Sequence, residues 1–92
     1  MLSHEQIRSR LTAAEAQERL AALEHERWSR WQRYLHNQCR RQDDGSLVIP
    51  SDLVERWEGQ MNTPYAELSA AEQQSDLEQV ETYLPTVIDI LR

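Results

Sequence analysis

Apolar positions along the chain fall at helical spacing almost throughout. Ser3-His4-Glu5-Gln6 opens a short amphipathic segment, and Thr12-Ala13-Ala14-Glu15 has the S/T-x-x-E form of a capping box. From there a helix can run to about Cys39 without meeting Gly or Pro. At 100° per residue, Leu20, Ala21, Leu23, Trp28, Trp31, Tyr34, Leu35 and Cys39 share one broad apolar sector, which predicts a long helix with one buried face. Arg19, Glu26, Ser29, Arg30, Arg33 and Arg40 lie on the other side, with Arg27 and His25 at the two edges.

Residues 40–46 carry the Asp-Gly signal of a turn, and Leu47-Val48-Ile49 allows one short extended piece that Pro50 ends. Ser51 is placed to cap a second helix bearing Leu53, Val54, Trp57 and Met61 on one stripe. Asn62-Thr63-Pro64-Tyr65 breaks it, because proline restricts its own backbone and that of the residue before it. Ser69-Ala70-Ala71-Glu72 is a further capping box, opening a helix whose inner face would carry Ala70, Leu77, Val80 and Leu84. Pro85 ends or kinks that helix, and Val87, Ile88 and Leu91 extend the apolar contacts. The expected fold is therefore mainly α, a compact single domain of three to four helices over residues 1–92, with a minor short β element near residues 46–50.

Composition adjusts this picture at a few points. The 92 residues are 39% hydrophobic and 28% charged, with mean hydropathy −0.79, which suits one modest core. No apolar run approaches a membrane span, and the amino terminus lacks a signal-peptide core, so a cytoplasmic location is expected. One cysteine, Cys39, makes neither an internal disulfide nor a zinc site. All ten basic residues are Arg. Residues 1–42 hold eight Arg against five acids, and residues 43–92 hold two Arg against eleven, giving +3 and −9 of the net −6. The acidic balance argues against duplex-DNA binding, which phosphate neutralisation drives.

Catalytic signatures are missing: there is no phosphate-binding Gly-rich loop, no paired Cys, no H-E-x-x-H and no G-x-S-x-G. The sequence predicts no enzyme, no metal site and no cofactor. Its distinctive run is Glu24-His25-Glu26-Arg27-Trp28-Ser29-Arg30-Trp31-Gln32-Arg33-Tyr34. Aromatic faces stack on nucleobases and Arg grips phosphate, so this interleaving suits a nucleotide-like ligand. The same tryptophans also suit the core of a small domain that contains no Phe.

These residues bring a family into view. His25-Glu26-Arg27-Trp28 resembles the H-x-x-W signature of the ryanodine-receptor repeat (RyR) domain. Thr63-Pro64-Tyr65-Ala66-Glu67-Leu68 is similar to its P-Y-x-x-L turn, and Glu72-Gln73-Gln74-Ser75-Asp76-Leu77 to its E-K-x-x-D-R helix. The resemblance spans about residues 22–84, leaving 1–21 as a helical extension, and is nearest to short free-standing versions found in bacteria and phages. Gln73 and Leu77 depart from the pattern, standing where Lys and Arg are usual.

What the resemblance implies is a mainly helical recognition module, with His25, Trp28, Pro64, Tyr65, Glu72 and Asp76 matching its motif. Bacterial relatives beside nucleotide-signalling defence systems imply a nucleotide-derived ligand, to be sensed or sequestered, for instance by a phage protein that removes a host immune messenger. The candidate ligand-binding residues are His25, Arg27, Trp28, Arg30, Arg33, Tyr65 and Asp76. Trp28 and Tyr65 would stack the base, Arg27, Arg30 or Arg33 would meet phosphate, and His25 would hydrogen-bond sugar or phosphate. Tyr65 and Asp76 also suit a purely structural task, anchoring the turn and hydrogen-bonding it or Trp28. The alternative function is an acidic protein–protein interaction module docking on a basic protein surface. A homodimer is expected under either reading, since three Trp and the Val87-Ile88-Leu91 segment leave apolar surface to cover.

Overall fold

The computed structural model describes all of residues 1–92 and is mainly α, with one two-stranded β element. In chain order it contains α1 (His4–Thr12), α2 (Ala14–Gln38), β1 (Arg40–Arg41), β2 (Leu47–Val48), α3 (Ser51–Met61), a 3-10 turn (Tyr65–Glu67) and α4 (Ala70–Leu91). The chain divides into two compact units: Met1–Trp28 with Asp76–Arg92, and Ser29–Ser75.

In the first unit, α1 starts where Ser3-His4-Glu5-Gln6 predicts, on a capping box. The Ser3 hydroxyl accepts from the Gln6 backbone N–H, and the Gln6 side chain accepts from the Ser3 N–H. The box expected at Thr12 does not form. Thr12 Oγ1 turns back to donate to the Arg8 carbonyl at 2.7 Å, and Ala13, extended at φ −59° and ψ 144°, separates α1 from α2. The Gln17 side chain satisfies the Leu11 carbonyl instead, at 2.7 Å. The first part of α2 and the body of α4 run antiparallel: Arg19 ion-pairs with Asp89 at 2.9 Å, and Glu24 accepts from Tyr83 Oη at 2.6 Å. Arg10 of α1 donates to the Leu91 carbonyl at 2.9 Å, which places a cation at the negative end of α4. Ala16 is the buried residue of this unit, at 5% exposure.

The second unit holds the β element. Arg40 pairs with Val48 and Arg41 with Leu47 in antiparallel register, which accounts for the short extended piece expected near residue 47. The connecting turn closes through Gly45 at φ 88°, a conformation that L side chains rarely adopt, and through Asp44, which accepts from the Ser46 N–H and hydroxyl. Ser51 is the first residue of α3 and makes no capping bond; Pro50 occupies the cap, with its φ preset for helix entry. The helix ends at Met61, as the Asn62–Tyr65 break predicts. Leu53 on α3 is buried at 8% exposure.

Two expectations about burial are corrected. The broad face of α2 is not uniformly buried, since Trp28, Trp31 and Tyr34 stay about half exposed. The expected inner face of α4 also points outward. Leu77, Val80 and Leu84 are each about half exposed, while Tyr83, Thr86, Val87, Ile90 and Leu91 are the better covered positions. Both stripes have helical periodicity, but periodicity marks an apolar face without naming what packs against it. Pro85 does not end α4. The helix continues to Leu91, and because proline has no N–H the Glu81 carbonyl loses its intrahelical donor at an exposed position.

Candidate functional site

In the first unit, His25 and Trp28 stand one turn apart on α2. Their rings stack at 6.2 Å with an interplanar angle of 19°. Trp28 is 52% exposed, so its indole is presented to solvent with the imidazole beside it. Arg27 has a different fate. Its guanidinium fork is occupied by Glu24 in the preceding turn, through Nε at 3.0 Å and through Nη2. Tyr83 reaches the same carboxylate from α4.

The hydrogen bonds from Arg27 and then Tyr83 hold the Glu24 carboxyl down at about 2. Glu24 in turn pushes the Arg27 guanidinium and the Tyr83 phenol upward. Arg27 would therefore have to surrender a bidentate carboxylate before meeting a phosphate. The spacing from Glu24 to Arg27 is visible in sequence; the arrival of Tyr83, 59 residues later, is not. Asp76 is exposed on α4 and takes no side-chain hydrogen bond.

In the second unit, Trp31 and Tyr34 form an ordered aromatic surface. Their rings lie 5.5 Å apart at 31°, and Trp57 of α3 backs Trp31 edge-on at 5.7 Å and 65°. Such offset and edge-to-face pairs fix ring orientation beyond what area burial supplies. Trp31 is 42% and Tyr34 43% exposed. Arg30 and Arg33 lie on the same stretch of α2, exposed and without a carboxylate partner. Trp31, which core packing alone would hide, and Tyr34 thus join the candidate surface; the Arg-aromatic interleaving around them was the available signal.

Tyr65 stands in the 3-10 turn of the same unit with its ring half exposed. The turn is tied down through its backbone: Gln73 Nε2 donates to the Tyr65 carbonyl at 2.9 Å. The structural task considered for Asp76 therefore falls to Gln73, one of the two residues that depart from the family pattern. The expected Ser69–Glu72 capping box starts α4 beside it, with both bonds at 3.2 Å, and the Ser69 hydroxyl lowers the Glu72 carboxyl from its ordinary range.

Two open hollows lie away from the predicted residues. One of about 450 Å³ is lined by Arg19, Pro85, Ile88 and Asp89 among others, and one of about 500 Å³ by Asp52, Glu55, Arg56, Gln60, Glu67 and their neighbours. Neither is lined by any of His25, Arg27, Trp28, Arg30, Arg33, Tyr65 or Asp76. No group of three or more His, Cys, Asp or Glu side chains is placed to hold a metal ion. No helix is long and apolar enough to cross a membrane. No protein-family model, curated protein or solved structure matches the chain.

Proposed function

We propose that this chain is a small non-catalytic recognition module, of the ryanodine-receptor repeat type, that holds a nucleotide-derived ligand for sensing or sequestration. The observation that carries this reading is the half-open aromatic pair Trp31–Tyr34, backed by Trp57, on a stretch of α2 that also carries Arg30 and Arg33 without a carboxylate partner. A planar base has an open ring surface to stack on, and a phosphate meets two guanidinium groups whose donors are free. Trp28, stacked on His25, offers a second half-open indole. Arg27 contributes less, because Glu24 already occupies it.

The test is a thermal-shift and tryptophan-fluorescence titration with mononucleotides and cyclic dinucleotides. At a hundredfold excess over the dissociation constant, binding stabilises the fold by about 2.7 kcal/mol. In a domain of this size that raises the melting temperature by roughly 10 °C or more. Arg30→Ala with Arg33→Ala should abolish the shift. Absence of both shift and quenching across the panel at millimolar ligand refutes the reading.

A second reading is favoured by α4, which carries Glu72, Asp76, Glu78, Glu81 and Asp89 and no basic side chain between Ala70 and Leu91. An acidic helix of this kind suits docking on a basic protein surface. Capture of a basic protein that is lost at moderate salt, with no small-molecule binding, would favour it.

A further inference from the structure

Between Glu26 and Asp43 the chain carries no acidic residue, although acids outnumber Arg sixteen to ten overall. Within the second unit that stretch supplies Arg30, Arg33, Arg40 and Arg41, all of them exposed. Both ion pairs of the chain, Arg19–Asp89 and Arg27–Glu24, lie outside this set. On α2, Arg33 follows Arg30 by one turn, and Tyr34 follows both Arg30 and Trp31 by one turn, so the four occupy linked positions on the helix surface. Arg40 and Arg41 follow in β1. Cross-strand partners share a face, so Arg40 stands with the exposed Val48 and Arg41 with the half-buried Leu47.

This strip is longer than one nucleotide uses. At a rise of about 1.5 Å per residue, α2 runs roughly 12 Å from Arg30 to its end at Gln38, and β1 starts two residues beyond. A mononucleotide whose base lies on Trp31 or Tyr34 brings its phosphate to Arg30 and Arg33 and leaves the β1 pair unused. A strand of nucleotides has a phosphate at every step, so the backbone that meets the α2 pair continues toward β1. The carbonyl end of α2 carries about half a negative charge, which repels phosphate; the two full charges of Arg40 and Arg41 just beyond it outweigh that.

We propose that the surface takes a short single-stranded oligonucleotide, with bases stacked on Trp31 and Tyr34 and the sugar–phosphate backbone tracked by Arg30, Arg33, Arg40 and Arg41. The proposal rests on the nucleotide reading of this surface and names the substrate class within it. A single strand is required because a duplex keeps its base faces stacked on one another and offers an aromatic ring only edges. Trp57, edge-on to Trp31, holds the platform in place before any ligand arrives. The acidic residues elsewhere in the chain oppose the approach at long range, but at physiological ionic strength their field is screened within about 8 Å. Asp43 and Asp44 close the strip at its far end, and Asp44 is engaged by the Ser46 N–H and hydroxyl.

Fluorescence anisotropy with labelled oligo(dT) and oligo(U) of about eight nucleotides tests the proposal, with dTMP and UMP titrated alongside by tryptophan quenching. Four phosphate contacts predict that oligomer affinity falls about fiftyfold between 50 and 200 mM sodium chloride. Arg40→Ala with Arg41→Ala should halve the logarithmic slope, leaving a fall of about sevenfold, while circular dichroism shows the fold intact. Tyr34→Ala should weaken the oligomer by at least about fivefold through lost stacking. Arg8→Ala, in α1 and off the strip, should leave the slope unchanged. Of the two oligomers, the tighter one names the source, since only RNA carries the 2′-hydroxyl. A slope indifferent to the β1 substitutions overturns the proposal, as does a duplex of the same length that binds equally well. If the mononucleotides quench and neither oligomer binds tighter than they do, this inference fails and the nucleotide reading stands; if nothing binds, both fail.

Discussion

Leu53 gives the sharpest check on where the second unit's stability resides. It is the one large aliphatic side chain in the chain that is buried, at 8% exposure, and it sits on α3 one turn before Trp57. Leu53→Ala removes three carbons, each contributing about 0.8 kcal/mol when buried, or roughly 2.2 kcal/mol at this degree of burial. A cavity adds to that loss in tightly packed interiors, but half-exposed neighbours can close or hydrate it, so the total stays near 2.5 kcal/mol. A 92-residue protein has only about 5–14 kcal/mol of stability in all. Urea unfolding followed by circular dichroism at fixed protein concentration should show the midpoint falling by about 2 M, taking a slope near 1.2 kcal/mol per molar. Leu84→Ala, at a half-exposed position, should cost less than half as much. A midpoint shift below about 0.5 M for Leu53→Ala with an unchanged slope (on the order of 0.6 kcal/mol), or a Leu84→Ala effect as large as that of Leu53→Ala, would refute the assignment of Leu53 as the packing centre.

Other outcomes follow from single contacts. Glu24 has a depressed folded-state pKa of about 2, so its contribution to stability is complete above the ordinary carboxylate range near 4.3 and is lost as pH falls through about 2. Acid unfolding of Glu24→Gln should therefore show a flatter stability profile than the parent between about pH 4.5 and 2; parallel profiles would sink the assignment. Tyr83→Phe removes one of the donors to Glu24, and carboxyl NMR titration should find its pKa raised but still below the ordinary range, because Arg27 remains. Ser69→Ala deletes the cap of α4 and should cost about 1 kcal/mol in thermal or urea unfolding. Gly45→Ala meets no neighbouring atom, so any loss there, on the order of 1 kcal/mol, reports the φ of +88° alone.

Tertiary contacts reassigned several of the candidate residues. Arg27 looked as free as Arg30 and Arg33 from the Arg spacing, yet Glu24 and Tyr83 engage its turn while the other two remain without a carboxylate. Trp31 suited the core and is a half-open platform: Trp57 meets it in a T-shaped contact and 42% of it stays exposed. Gln73, read only as a departure from a motif, holds the Tyr65 turn. Only the Glu24–Arg27 pair lies within one helix; Tyr83, Trp57 and the Gln73–Tyr65 contact each bring in a group from another helix or turn.

The sequence by itself determined most local elements: the helical segments, the break at Asn62–Tyr65, the cap at Ser69, the turn at Asp44-Gly45 and the short strand after it. Those features follow from interactions within about four residues, where backbone hydrogen bonding, capping side chains and the φ restrictions of Pro and Gly act. Tertiary structure alone decided which apolar stripes are covered. On α4 it chose the side bearing Tyr83, Val87 and Ile90 and left Leu77, Val80, Leu84 and Ile88 facing outward. A helical period specifies that a face is apolar; burial is a property of two surfaces, and the second one lies far away in the chain or on another molecule.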